Sequence, residues 1–294
     1  MNKVVVITGG TSGIGLETAK ALAQQGCTVY ELSRRESGAD PRVHHLRADV
    51  TDEAQCQAAV DEIAKREGRI DVLVNNAGFG ISGAIEFTDT AEAQRQFDVN
   101  FFGMVRMNKA VIPVMRRQGG GRILSMSSVA APIAIPFQAY YSASKAAVRT
   151  YMLALASEVR PFGIETCAIM PGDIATGFTA ARAKNPAGDD VYEGRIARSV
   201  AVMEHDEMNG IPASAAGAFV AKKALQRRVP PLCTLGGKYK VFVFLTRLLP
   251  TRLMTDVVGK IYASLKTQMR GNCASHFLCR VPKPSPEGGK VFSA

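Results

Sequence analysis

The chain has 294 residues, 47% of them apolar and 21% charged, with a mean hydropathy of +0.03. That is enough to bury a substantial core without disulfides or metal, and too apolar for a disordered chain. The net charge of +10 is uneven: residues 220–294 hold 14 Lys and Arg against 2 Asp and Glu, while residues 1–219 hold 22 against 24.

Taken in chain order, apolar runs alternate with helical patterns. Strands are predicted at residues 3–8, 28–33, 43–47, 72–75, 122–126 and 165–170, short and rich in Val, Ile and Leu. Helices are predicted at residues 13–25, 52–67, 90–117 and 142–162. Such alternation implies parallel strands joined by right-handed crossovers, with helices on both faces. Residues 173–212, with Gly177, Asn185-Pro186, Gly188 and Gly210 around a helix at 190–203, read as a lid inserted over a site. A helix at 214–226 then leads to Pro230-Pro231, read as the exit from the compact body. The expected organisation is α/β: one doubly wound domain over residues 1–228, followed by a basic amphipathic extension and flexible tail over 229–294.

The run Val4-Val5-Val6-Ile7 is too short for a secretory core, and the apolar region from Val241 to Tyr262 is broken by Arg247, Pro250, Arg252, Asp256 and Lys260. Neither reads as a membrane span. The cysteines Cys27, Cys56, Cys167, Cys233, Cys273 and Cys279 show no Cys-x-x-Cys spacing and no paired histidines. The reading is free thiols in a cytoplasmic protein, without a metal site.

Three features carry chemistry. Gly9, Gly13 and Gly15 sit in Thr8-Gly-Gly-Thr-Ser-Gly-Ile-Gly, between the first strand and the first helix. Glycine there permits a tight turn, lets backbone approach a pyrophosphate at the positive helix end, and lets the helix pack closely. At the end of the second strand, where an acid would select a free ribose 2′-hydroxyl, stand Ser33, Arg34 and Arg35. Two guanidiniums suit a 2′-phosphate, and Ser12 adds a hydroxyl, so NADP(H) is expected. Glu31 is the competing acid, two residues too early and inside the strand. Finally, Tyr141 and Lys145 lie four apart on one helix face. An ammonium beside a phenol favours the phenolate, which predicts a Tyr141 pKa drawn down from about 10 toward neutrality.

Together with Asn75-Asn76-Ala77-Gly78, Asn100, Ser128 and Pro171-Gly172-x-x-x-Thr176, these motifs resemble the compact short-chain dehydrogenases/reductases over about residues 3–225. The resemblance implies that Tyr141 is the acid/base acting on a carbonyl or alcohol oxygen. It implies that Lys145 tunes Tyr141 and binds the nicotinamide ribose, that Ser128 holds the substrate oxygen, and that Asn100 seats a relay water. Tyr140 and Ser127 lack the required offsets. Cofactor contacts are implied for Thr11, Ile14, Asp49, Val50, Asn76, Ala77, Gly78, Pro171, Gly172, Ile174 and Thr176.

Apolar residues after Ser128, near residue 80 and in the lid (Phe137, Phe178, Met203 and Met208 among them) suggest a lipophilic secondary alcohol or ketone, steroid-like or retinoid-like. The alternatives are a 3-ketoacyl-thioester reductase, or a non-catalytic NADP(H)-binding regulatory or membrane-associated protein. The family resemblance implies a homodimer. The extension, with apolar residues at helical spacing between lysines and arginines, packs on the lid or a partner subunit, or associates peripherally with membrane through residues 238–270. Nucleic acid is not expected, since no reading motif is present.

Overall fold

A computed structural model describes residues 2–263. The first half contains β1 (Val4–Thr8), α1 (Gly13–Gln24), β2 (Thr28–Ser33), β3 (His44–Arg47), α2 (Glu53–Glu67), β4 (Val72–Asn75), β5 (Ile81–Ser82), α3 (Thr90–Phe97), α4 (Gly103–Arg117) and β6 (Gly121–Met126). Then follow α5 (Ala139–Glu158), β7 (Ile164–Pro171), β8 (Ile174–Ala175), α6 (Phe178–Ala181), β9 (Ala183–Lys184), α7 (Arg195–Met208) and β10 (Ile211–Pro212). The last elements are α8 (Ala213–Leu225), β11 (Leu232–Leu235), α9 (Gly237–Leu248) and α10 (Thr251–Tyr262).

Seven strands form one parallel sheet in the order β11-β7-β6-β4-β1-β2-β3. Its central strands are buried on both faces because alternate side chains feed two cores, while the edge strands β3 and β11 are only partly covered. Val4 and Val6 of β1 point into a cluster with α2, α4 and α5, while Val5 and Ile7 meet Ala19 and Leu22 of α1 and Val220 of α8. The chain runs outward from β1 to β3, then crosses back to β4 and continues the other way. The strand order therefore reverses between β1 and β4, and the crevice at their carboxyl ends is where such sheets bind ligands.

The structure departs from the expected elements in four places. The helix expected over residues 90–117 is divided by a π-turn at Asp98–Phe102 into α3 and α4. α5 begins at Ala139, so Tyr141 sits in its first turn. α7 starts at Arg195, five residues later than expected, because Gly194 takes φ +73° and the Asp189 carboxylate accepts from the amides of Ile196 and Ala197 at 2.9 and 3.1 Å. Finally, the chain beyond Arg228 does not leave the sheet. Leu232–Leu235 pairs with Ala168 to Pro171 as the edge strand, and Pro231 contributes its carbonyl to the Ala168 amide at 2.9 Å. Proline is tolerated there because it precedes an edge strand.

Cys167 of β7 and Cys233 of β11 are free thiols with their sulfurs 3.4 Å apart across this new pair. Cys273, Cys279, the tail from Pro282 and the end of the 238–270 segment lie outside the described residues.

Candidate active site

The site grows out of the β1–α1 turn. Gly9 adopts φ +66° and donates its amide to the Leu32 carbonyl at 2.7 Å, turning the chain above the sheet. A Cβ on Gly15 would overlap the Gly9 carbonyl and the Asn76 amide, so α1 can start this close only without a side chain there. Asn76 locks the turn from the β4 side. Its Nδ2 donates to the carbonyls of Thr8 and Gly9, both at 3.1 Å, while the amides of Asn76 and Ala77 donate to Thr8 Oγ1 at 3.0 and 3.1 Å. Ser12 caps α1 in an extended conformation with no side-chain bond to the helix, leaving its hydroxyl at the helix end. Thr11 is buried and Ile14 packs into the core beside Ile174 and Ala216. Thr176 lies next to Gly13: a Cβ there would come 3.5 Å from Thr176 Cβ. The lid thus folds back onto the turn.

Beside the turn, β2 ends in Ser33, whose hydroxyl is buried without a partner, followed by exposed Arg34 and Arg35. Arg34 takes no ion pair among the described residues, and Arg35 Nη1 reaches the Thr11 carbonyl at 3.5 Å. Glu31 is only 1% exposed and is engaged by His45, whose Nε2 also lies 3.0 Å from the Arg35 carbonyl. The competing acid is therefore occupied beneath the loop that carries the arginines. Asp49 spends Oδ1 on Thr51, accepting at 2.9 Å from its amide and 2.8 Å from its hydroxyl, and Val50 is buried against Gly103.

On the other side of the crevice, α5 brings in Tyr141 and Lys145. Lys145 Nζ lies 5.7 Å from the centre of the Tyr141 ring and donates to the Met126 carbonyl at 2.8 Å. Asn100, in the π-turn, accepts from the Phe79 amide at 2.9 Å and donates to the Phe79 carbonyl at 3.0 Å and Ser144 Oγ at 3.1 Å. The extra residue of a π-turn is a common device at functional sites. Arg106 braces it, reaching Asp98 Oδ1 at 2.7 Å and the Val50 carbonyl at 3.2 Å. Gly78 lies between: a Cβ there would sit 3.0 Å from Asn100 Oδ1 and 3.4 Å from Lys145 Nζ. Ser128 Oγ accepts from the Ala130 amide at 3.1 Å and stands beside the Tyr141 phenol. By contrast, Ser127 donates to the Lys145 carbonyl at 2.8 Å, and Tyr140 points away to the Ile85 carbonyl at 3.4 Å.

The electrostatics correct one expectation. Burial pushes the Tyr141 phenol up to about 12, and the bond to Ser128 only partly offsets it. The phenol is not drawn toward neutrality, because the effect of burial on Tyr141 is the largest one acting on it; burial also lowers the Lys145 ammonium to about 8. At neutral pH Tyr141 is a protonated donor.

Phe178 of the lid, one of the expected lining residues, lies 5.7 Å from the Tyr141 ring. The contributions of Arg182, Glu207, Thr179, Tyr239 and Asp173 were invisible in the sequence. Arg182 is buried in an ion pair with Glu207, and Thr179 donates to the same carboxylate at 2.6 Å. Tyr239 of α9 covers Gly172 and donates to Asp173, whose carboxyl is raised by burial. Pro171 holds the Val129 amide at 3.0 Å. Of the expected lipophilic lining, Ile133, Phe137 and Met203 are buried in packed clusters or core, and Met208 is exposed.

A glycine turn at the switch point of a parallel sheet, facing a Tyr–Lys–Ser–Asn group, defines a nucleotide-dependent oxidoreductase of the α/β class. Residues 3–187 match the short chain dehydrogenase family model, and the chain belongs to the short-chain dehydrogenase/reductase family. It is 40% identical over 265 residues to a 3-ketodihydrosphingosine reductase of Bacteroides thetaiotaomicron, a match covering 89% of this chain and 98% of that one. Two solved structures share the fold. A Burkholderia phymatum short-chain dehydrogenase/reductase in complex with NAD has TM-score 0.71 at 23% identity, covering 83% of this chain and 92% of its own. ElxO with NADP bound has TM-score 0.68 at 25% identity, covering 82% of this chain and 100% of its own.

Proposed function

We propose that the chain reduces a lipophilic ketone to a secondary alcohol with NADPH, using Tyr141 as the proton donor. The observation that carries this reading is the convergence of Tyr141, Ser128, Lys145 and Asn100 at one end of the crevice, with Lys145 Nζ 5.7 Å from the Tyr141 ring centre and Gly78 between Asn100 and Lys145. The crevice fits the cofactor. Its glycine turn leaves backbone at the helix end, and Gly78, by carrying no side chain, lets Asn100 and Lys145 approach one another there. The orphaned Ser33 hydroxyl and the unpaired Arg34 favour a 2′-phosphate.

In this reading Ser12, Gly13 and Ile14 hold the pyrophosphate, Asp49 and Val50 flank the adenine, and Asn76 to Gly78 flank the ribose. Pro171, Gly172, Ile174 and Thr176 line the nicotinamide side. The reduced nicotinamide supplies the hydride that no side chain can. Ser128 and Tyr141 donate hydrogen bonds to the substrate carbonyl, stabilising the negative charge that develops on its oxygen. Tyr141 gives its proton to that oxygen and would regain one from the Lys145 ammonium, which in turn would be reprotonated from solvent through a water seated by Asn100.

The likeness to a 3-ketodihydrosphingosine reductase supports a long-chain aliphatic ketone in place of the steroid-like or retinoid-like substrate first expected. A ketone flanked by one alkyl chain needs a narrower cleft than four fused rings, and Phe178 standing over Tyr141 suits the narrower shape. NADPH oxidation measured against 3-ketodihydrosphingosine, a 3-ketoacyl thioester, a 3-ketosteroid and a retinoid aldehyde tests this. The sphingoid ketone should give the highest kcat/KM, by about tenfold or more over the others, as expected for a chain-length fit worth 1–3 kcal/mol. Preference for the steroid or thioester would overturn the substrate reading and leave the reaction class standing.

A further inference from the structure

The two C-terminal helices carry a surface that the proposed reaction does not use. On α9, Tyr239 and Val243 face inward, and Val243 joins Val258 of α10 in a cluster with Ile133 and Met170. The opposite face carries Val241, Phe244 and Leu248, spaced i, i+3 and i+7, which are 61%, 57% and 63% exposed. α10 adds exposed Leu253 and Ile261.

Four of these five apolar residues directly follow a cation: Lys240-Val241, Arg247-Leu248, Arg252-Leu253 and Lys260-Ile261. One helical step is roughly 100° of rotation, so each cation stands beside the apolar ridge rather than on it. All four cations are exposed, and none takes an ion pair among the described residues. The two helices hold one acidic residue, Asp256.

We propose that the outer face of α9 and α10 docks on an anionic lipid surface, with the apolar ridge in the acyl boundary and the basic rows at the headgroup phosphates. Among the described residues no helix is long and apolar enough to cross a membrane, which makes the association one of lying on the surface. A second copy of the chain fits the face poorly, since a twofold contact would set unpaired cations against one another, and interface cores are depleted of charge. The same helices wall the loop that follows Ser128, through Val129, Ile133 and Ile135. Docking would therefore place the catalytic loop close to the lipid, whatever the substrate.

The test is co-sedimentation of the full-length protein with vesicles of phosphatidylglycerol and phosphatidylcholine, and with phosphatidylcholine alone. Binding should favour the anionic vesicles by at least about tenfold and weaken as salt rises. A Val241→Asp/Phe244→Asp/Leu248→Asp variant should lose binding, and Lys240→Gln/Arg247→Gln should lose roughly thirtyfold. Both should keep the wild-type melting temperature and turnover of a short water-soluble ketone. Absence of wild-type binding to the anionic vesicles, or equal binding by both variants, would overturn the proposal. So would conversion of a lipid-free oligomer into monomers by the triple variant, which would give the face to a second copy.

Discussion

Around the glycine turn, backbone is the building material. Gly15 meets the Gly9 carbonyl, Asn76 bridges that carbonyl and the one of Thr8, and there is no room for a methyl group on Gly15. Across the crevice the lid is fastened by side chains far apart in the chain: Arg182 with Glu207, Asp173 with Tyr239, and Phe178 against Tyr141. The first arrangement resists substitution at Gly9 and Gly15, where an added Cβ meets main chain. The second can be rebuilt one side chain at a time while the sheet and the turn stay fixed. That contrast separates a platform fixed by backbone from contacts that can be replaced to alter specificity.

The contrast can be broken most sharply at the reacting centre. Tyr141→Phe removes the proton donor without changing the packing under Phe178. Ketone-dependent NADPH oxidation should fall about 10²–10⁴-fold with an unchanged melting temperature. Unchanged turnover would return the non-catalytic reading. On the platform side, Gly15→Ala should weaken both folding and cofactor binding, costing about 1–3 kcal/mol in thermal unfolding. Full stability there would mean that the turn is looser than its contacts imply. Arg34→Ala should cut the preference for NADPH over NADH by roughly ten- to a hundredfold, the worth of one charge-assisted bond. An unaltered ratio of kcat/KM values would remove the 2′-phosphate assignment.

Acidity sharpens the same point. Lys145 is lowered to about 8 by burial, so its ammonium is lost as the pH rises through that value, well before Tyr141 at about 12 ionises. Reductive kcat/KM should therefore decline above pH about 8, and the decline should vanish in Lys145→Met. The smallest effect belongs to the lid. Phe178→Ala should shift KM among chain lengths several-fold while leaving the pH profile in place, as expected when a packing contact and not a proton carrier is removed.

The platform was legible because its signals are local. The glycine spacing, the Ser33-Arg34-Arg35 end of β2 and the Tyr141–Lys145 offset each occupy a few consecutive residues. β11 escaped notice because Leu232–Leu235 is only four residues long and follows two prolines, which usually signal departure from a sheet. The π-turn at Asn100 leaves no trace in composition, since its residues suit a continuous helix equally well. Tyr239 and Asp173 are 66 positions apart, and no periodicity connects them. The acidity of Tyr141 was misjudged for a related reason. Spacing reveals that a lysine is near, but not how much water the fold removes from both groups.

Arg106 has a consequence that runs across the whole crevice. One guanidinium holds both the Val50 carbonyl, on the side proposed for the adenine, and Asp98 at the root of the turn that presents Asn100. The two ends of the cofactor cleft are thus strung on a single tie, and slackening it at either end would be felt at the other. Cofactor affinity and proton resupply would drift together in any variant that cut it, although Arg106 itself is assigned no contact with cofactor or substrate.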